Sequence, residues 1–269
     1  MLNVQVYSMQ RKASQGFVVV LMLCYCMQAQ GQINTEKLRR SDSLRGAFFS
    51  SGLSFGLVRG NSEFVSLSGA VRGDYVGARS RHFMVFSYAF KEAAAGKIAN
   101  KGFLHGRTIW QTGAALAIEG FAQAEFDEFL SLKNRDLLGA GIRWRALSIN
   151  SANNAERLRV HLGIGAMYEH EEYDTSPTDV RLDHLRSTNY LTLQWTPSDV
   201  ATVTWVSYAQ PLFENPEDLR LTAETSVEWR IASSLSFSVS MSWRYHSRPM
   251  TDVKRYDLEI TNGIRFAVP

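Results

Sequence analysis

Between Asp218 and Phe266 the chain alternates oily and polar residues over three successive segments. Leu219, Leu221, Ala223, Thr225, Val227 and Trp229 fall on odd positions; Arg220, Thr222, Glu224, Ser226, Glu228 and Arg230 fall on even ones. After Ile231-Ala232-Ser233-Ser234, Leu235, Phe237, Val239, Met241, Trp243 and Tyr245 share a face opposite Ser236, Ser238, Ser240, Ser242, Arg244 and His246. After residues 247–254, Tyr256, Leu258, Ile260, Ile264 and Phe266 oppose Asp257, Glu259, Thr261, Gly263 and Arg265. A strand turns its side chains to opposite faces at every step, so each segment reads as a strand with one greasy and one charged face. Each runs about ten residues and ends in aromatics, the length and pattern of strands that cross a bilayer tilted, apolar side out.

The same pattern recurs upstream. Leu53, Phe55 and Leu57 lead the first strand; Val65, Leu67, Val71 and Tyr75 the second; Met84, Phe86, Tyr88 and Phe90 the third; Leu104 and Trp110 the fourth. Leu116, Ile118 and Phe126, then Leu138, Ile142 and Trp144, then Leu158, Val160, Leu162, Ile164 and Tyr168 continue it, followed by Leu191, Leu193 and Trp195, and by Val203 and Trp205. The expected fold is all-β: a closed antiparallel up-and-down transmembrane β-barrel of about twelve strands over residues 47–269. Closure is expected because an open edge in hydrocarbon leaves backbone groups unpaired at several kcal/mol each. Loops are expected at 91–102, 174–184, 211–217 and 247–254, and shorter turns at 77–81, Gly113, 197–199 and 231–234. The short 60–63 and the long 148–156 run against this trend. Short turns belong to the periplasmic side of such barrels, so both termini are expected there.

Mean hydropathy is only −0.17, which suits a barrel because every second residue alone faces lipid. Residues 1–30 read as a secretory signal: Arg11 and Lys12, an apolar run from Gly16 to Met27, and an exit at Gln28-Ala29-Gln30. Met9 is a second candidate start. Residues 31–46 are polar, without strand period, and read as a periplasmic lead-in. Both cysteines, Cys24 and Cys26, lie in the signal, so no disulfide is expected in the mature chain. Removing Arg11 and Lys12 leaves 27 basic against 26 acidic residues, a net +1, which argues against a nucleic-acid surface.

Chemistry, if any, lies in the inward charges. Arg143 and Arg145 are expected beside Glu119, Glu125 and Asp127 on one neighbouring strand and beside Arg159, His161, Glu169 and Glu171 on the other. Arg220, Glu224, Glu228 and Arg230 are expected beside Arg244 and His246, then Asp257, Glu259 and Arg265. Such a set either selects solutes passing through a lumen or fills the lumen with ion pairs. No cofactor, metal or catalytic constellation is expected. His246 and Ser247 are neighbours on opposite faces, and His170 with Glu172 is a weak pair for a metal. The expected partners are outer-membrane lipid, the barrel-assembly machinery and a small solute. The alternatives are an outer-membrane lipid-modifying enzyme and a soluble periplasmic barrel with the two faces reversed.

Several stretches also carry a family likeness: Gly60-Asn61-Ser62, Phe121-Ala122-Gln123-Ala124-Glu125-Phe126, Arg135 to Arg143, Gly163 to Glu169 and Arg248 to Asp257. In that order, from about Asn34 onward, the chain resembles the salt-induced outer-membrane protein family, whose molecular function is unknown. The resemblance implies a bacterial outer-membrane barrel and supplies no catalytic residues. The end departs from the usual barrel pattern, because Phe266 is followed by Ala267-Val268-Pro269.

Overall fold

The computed structural model describes residues 45–59, 63–94, 96–151, 155–175, 177–232, 235–249 and 254–266, with Arg265 and Phe266 as backbone only. The expected signal (1–30) and nearly all of the lead-in lie outside the described residues. The described residues form twelve strands in chain order: β1 (Gly46–Val58), β2 (Phe64–Val76), β3 (Ser80–Ala93), β4 (Gly96–Gln111), β5 (Leu116–Asp127), β6 (Leu132–Asn150), β7 (Glu156–Tyr173), β8 (Val180–Ser198), β9 (Ala201–Pro211), β10 (Leu219–Ala232), β11 (Leu235–His246) and β12 (Tyr256–Phe266). They form one antiparallel sheet in which each strand pairs with its sequence neighbour. The ladder runs from β1 to β12 and, among the described residues, contains no β12–β1 pair. The sheet nonetheless coils, since Gly52 of β1, Lys101 of β4, Glu171 of β7, Arg220 of β10 and Asp257 of β12 line one cavity.

The two faces follow the sequence period. Leu53, Phe55, Met84, Leu138, Ile142, Ile164, Leu258, Ile260 and Ile264 are exposed on the convex side. His105, Glu119, Arg143, Glu169, Arg186 and Glu224 are buried on the concave side. A soluble sheet would bury its oily face and wet its charged one, so the reversed arrangement needs an apolar solvent outside. Tyr75, Trp110, Trp144, Trp195 and Trp229 are all exposed near the end of the sheet that carries the turns 77–79, 112–115 and 199–200. Amphipathic rings in such a band suit a headgroup layer.

Several boundaries differ from the sequence expectation. The expected loop 91–102 is mostly strand: Lys91 pairs with Ala99, Glu92 with Lys97 and Ala93 with Gly96. Gly96 takes a positive φ of 118° beside the tight connection, a conformation open to glycine at little cost. β8 likewise begins at Val180, inside the expected loop 174–184. These strands project beyond the apolar band, where both faces are polar and the period loses contrast. β6 continues to Asn150 across a register shift between Arg145 and Leu147. That bulge reverses the phase and sets Leu147 and Ile149 outward, which hid the strand from a strict two-residue period. β1 starts at Gly46, one residue before the barrel boundary read from the sequence.

Candidate functional site

Inside the sheet, near the ends of β5 and β7 and the starts of β6, β8 and β10, the buried charges form a continuous lattice. Glu169 lies at its centre, 0% exposed. Its Oε1 accepts from Arg135 Nε at 2.7 Å, from Arg135 Nη2 at 2.5 Å, and from Arg220 Nη1. Its Oε2 accepts from Arg186 Nε at 2.6 Å. Both oxygens of Glu171 accept from Arg220 Nη2 at 3.0 Å, and Arg135 Nε lies 3.2 Å from Oε1. Arg135 Nη1 reaches Glu125 at 2.7 Å, and Arg186 Nη1 reaches Asp218 Oδ1 at 3.0 Å. His246 Nε2 stands 3.6 Å from Asp218. Three guanidinium groups thus meet four carboxylates over five strands and one loop. Buried ions cost several kcal/mol each unless they are paired and hydrogen-bonded, and these are both.

In the loop, burial works against the charge of Asp218, but the hydrogen bond and charge of Arg186 outweigh it and hold its carboxyl below the usual range. On the short 3-10 helix Glu128–Leu130, the Asn100 and Lys97 hydrogen bonds lower the Glu128 carboxyl in the same sense.

The lattice is one wall of a cavity of about 510 Å³ toward β1–β5 and β10–β12. Toward the short-turn end the inward face becomes aromatic. The His105 ring stands 5.7 Å from Phe83 and 6.0 Å from both Phe103 and Phe121, while Tyr190 and Tyr208 meet at 5.3 Å. Glycines make room for these rings. A Cβ at Gly139 would lie 2.3 Å from the Phe121 ring, and one at Gly163 would lie 2.0 Å from the Tyr190 ring. Beyond the rings, at the short-turn end, a second cavity of about 210 Å³ opens.

Of the charges read from the sequence as inward, Glu119, Asp127, Arg143, His161, Glu169, Glu171, Arg220 and Glu224 are buried, and the lattice pairs are not the expected ones. Glu125, Glu169 and Glu171 pair with Arg135, Arg186 and Arg220, not with Arg143 and Arg145. The register sets Arg135 opposite Glu125 and Glu171, and puts Arg145 opposite His161 at the other end of β6. Glu119 is buried 3.6 Å from Arg107. Asp127 caps the 3-10 helix, accepting from Phe129 N at 3.1 Å. Arg143 donates to the Tyr190 hydroxyl at 3.1 Å and Arg159 bonds Glu156, while His161 is buried. Glu224 is buried and Glu228 half-buried. Directly opposite them on β11 stand Ser242 and Ser238, and Arg244, opposite Thr222, is the next inward position after Ser242. Arg244 does register with Asp257, and both line the large cavity; Asp257 is exposed and Glu259 half-buried. The side chain of Arg265 is outside the description.

Arg135, Arg186 and Asp218 were missed as members of the cluster. Arg135 has the parity of inward Gly139 and Arg143, and Arg186 has that of Thr188 and Thr192. Both signals were legible once the strands extended far enough. Asp218 sits in a loop and had no periodic signal.

Of the residues considered for a hydrolase, Ser247 is bonded to the backbone on both sides. The Ser247 hydroxyl accepts from Leu219 N and donates to the Glu217 carbonyl, at 2.8 and 2.7 Å. An exterior pair, His170 Nδ1 and Asp183 at 2.8 Å, is joined by the Tyr168 hydroxyl. The next serine along that face of β8, Ser187, accepts from Asn189 at 2.9 Å. Glu172 is engaged by Arg181 at 3.3 Å rather than by His170. Among the described residues no group of three or more metal-ligating side chains occurs.

A family model described as "Protein of unknown function, DUF481" matches residues 51–267. The chain belongs to that family. The description says nothing of salt induction. No curated protein matches the chain. Among solved structures it is similar to the NanC porin, at 9% identity and a TM-score of 0.46, over 82% of this chain and 99% of that one. It is also similar to the KdgM porin solved with disordered oligogalacturonate, at 10% and 0.42, over 82% and 100%. The translocator domain of the autotransporter NalP from Neisseria meningitidis follows at 11% and 0.40, over 97% and 98%.

Proposed function

We propose that this DUF481 chain is a non-catalytic β-barrel of the bacterial outer membrane. It is exported on residues 1–30, closed by pairing β12 with β1, and traversed by a path too constricted to act as a general pore. The observation that carries the reading is the Glu169 lattice: a network joining β5, β6, β7, β8 and β10 occupies part of an interior whose outside is apolar. Supporting it, inward aromatic rings lie between the cavities at the two ends. The outward face points to outer-membrane lipid as the lasting partner and to the barrel-assembly machinery during biogenesis. A small solute that fits the remaining space is the candidate cargo.

The test is planar-bilayer recording of the refolded protein. The wild type should show no steps of general-porin size, and Glu169→Ala combined with Arg135→Ala should raise the conductance. Large steps from the wild type would sink the obstructed-lumen reading. Salt-dependent expression, suggested by the resemblance, is checked separately by transcript level across a salt series.

A further inference from the structure

At the short-turn end the 210 Å³ cavity is lined by Arg45, Arg79, Arg81, Arg143, Arg145 and His161 among its polar residues, and by no Asp or Glu among the described residues. The lining of the large cavity at the long-loop end, by contrast, includes Glu125, Asp127, Glu171 and Asp257. The strands explain the convergence. Arg45 directly precedes β1, whose first residue pairs with Val76, and Arg79 lies in the following 77–79 turn. Arg81 registers with Ile109, Arg143 with Ala117, and Arg145 with His161. The acceptors that Arg143 meets at 3.1 and 3.5 Å are neutral hydroxyls, those of Tyr190 and Thr192. The Nε of Arg145 is buried and has no hydrogen-bond partner. Glu119, on the same inward face, stands beside Arg107.

We propose that this cavity binds a small multivalent oxyanion, a solute carrying two or more phosphate or carboxylate groups. Guanidinium groups present planar forks of N–H donors that match such oxygens two at a time. Five of them line this one small space, so an anion there is met from several strands at once, the partly buried Arg145 among them. The volume admits a small anion rather than a long chain. The site faces the lumen, so its ligand comes from solution and not from the lipid leaflet. The inference stands apart from conductance: an obstructed barrel and an open one would both bind.

The experiment is calorimetric titration of the refolded full-length chain in zwitterionic detergent with inorganic pyrophosphate. Heat-dependent gel mobility serves as the folding control. Binding should be saturable and weaken with added salt. It should fall about tenfold or more in Arg79→Gln/Arg145→Gln. Arg79→Gln alone lies in an exposed turn and gives a partial loss without disturbing a strand. Lys133→Gln, which removes the same charge from the exposed pair with Asp179 at the other end, should bind like the wild type. A second arm places the protein in nanodiscs with or without phosphatidylglycerol. Equal losses in the arginine and Lys133 variants would overturn the proposal. So would no heat up to millimolar pyrophosphate, or an effect seen only with the anionic lipid.

Discussion

Arg186 on β8 donates its Nε to Glu169 on β7 at 2.6 Å, and the two side chains are 1% and 0% exposed. Glu169 is also bonded by Arg135 and Arg220, so its charge is shared among three buried cations. Glu169→Gln leaves those three with less counter-charge. Breaking a buried pair by removing one partner costs about 3–5 kcal/mol. Urea unfolding in micelles should show a loss of that order for Glu169→Gln. Glu128→Gln, at an exposed ion pair with Lys97, should leave the midpoint essentially where it is.

A methyl group at Gly163 would lie 2.0 Å from the Tyr190 ring. Overpacking of this kind costs about 1–3 kcal/mol. Gly163→Ala should destabilise by that amount, and Tyr190→Ala in the same chain should recover part of it. A double-mutant cycle of unfolding free energies measures the coupling. If the two effects simply add, the ring does not need the glycine.

Residues such as Leu258, Ile260 and Trp229 made the strands legible, because an apolar outer face and a polar inner one keep the contrast high along the middle of each strand. Where strands leave that band, as at Lys91–Lys97 and Val180–Asp183, the contrast vanishes and the sequence reads as loop. The inward direction of Glu169, Glu171 and Arg220 could be read from parity. Their partners could not, because Arg186 reaches Glu169 diagonally and Asp218 comes from a loop. The inward rings of Phe83, Phe103, Phe121 and Tyr190 were also hidden. An apolar residue at an inward position looks like noise in an alternating pattern until the glycine beneath it is seen.

The Asp218 carboxyl is held below its ordinary value of about 3.8 by Arg186, against the opposing effect of burial. A carboxyl depressed in the folded state binds fewer protons there than in the unfolded chain, so stability rises with pH through that window. Its contribution is complete above the ordinary value and is lost as pH falls toward the depressed one. Unfolding midpoints taken from neutral to strongly acid pH should drop less steeply for Asp218→Asn than for the wild type. Parallel curves would show that the Arg186 contact carries no linkage.

Ile164 sits mid-strand in β7 and is 65% exposed on the convex face. If that face meets hydrocarbon, Ile164→Arg should cost about 2–4 kcal/mol in lipid bilayers. A soluble barrel would tolerate the change and become no less stable. Measuring refolding yield and unfolding in liposomes separates the two, with Leu53→Arg on β1 as a second exterior position.

β1 and β12 are the two ends of the hydrogen-bonded ladder, yet Gly52 and Asp257 line the same cavity. In hydrocarbon an unpaired edge would leave a row of N–H and C=O groups without partners, each costing several kcal/mol. Two edges facing each other across one interior remove that cost by pairing. Amides of β1 and β12 in the reconstituted protein should therefore exchange as slowly as those of β6 and β7, within the span that faces lipid. Hydrogen-exchange mass spectrometry resolves these segments. Fast exchange confined to Gly46–Val58 and Tyr256–Phe266 would mean that the sheet stays open, and a lipid-spanning role could then survive only if another chain covered both edges.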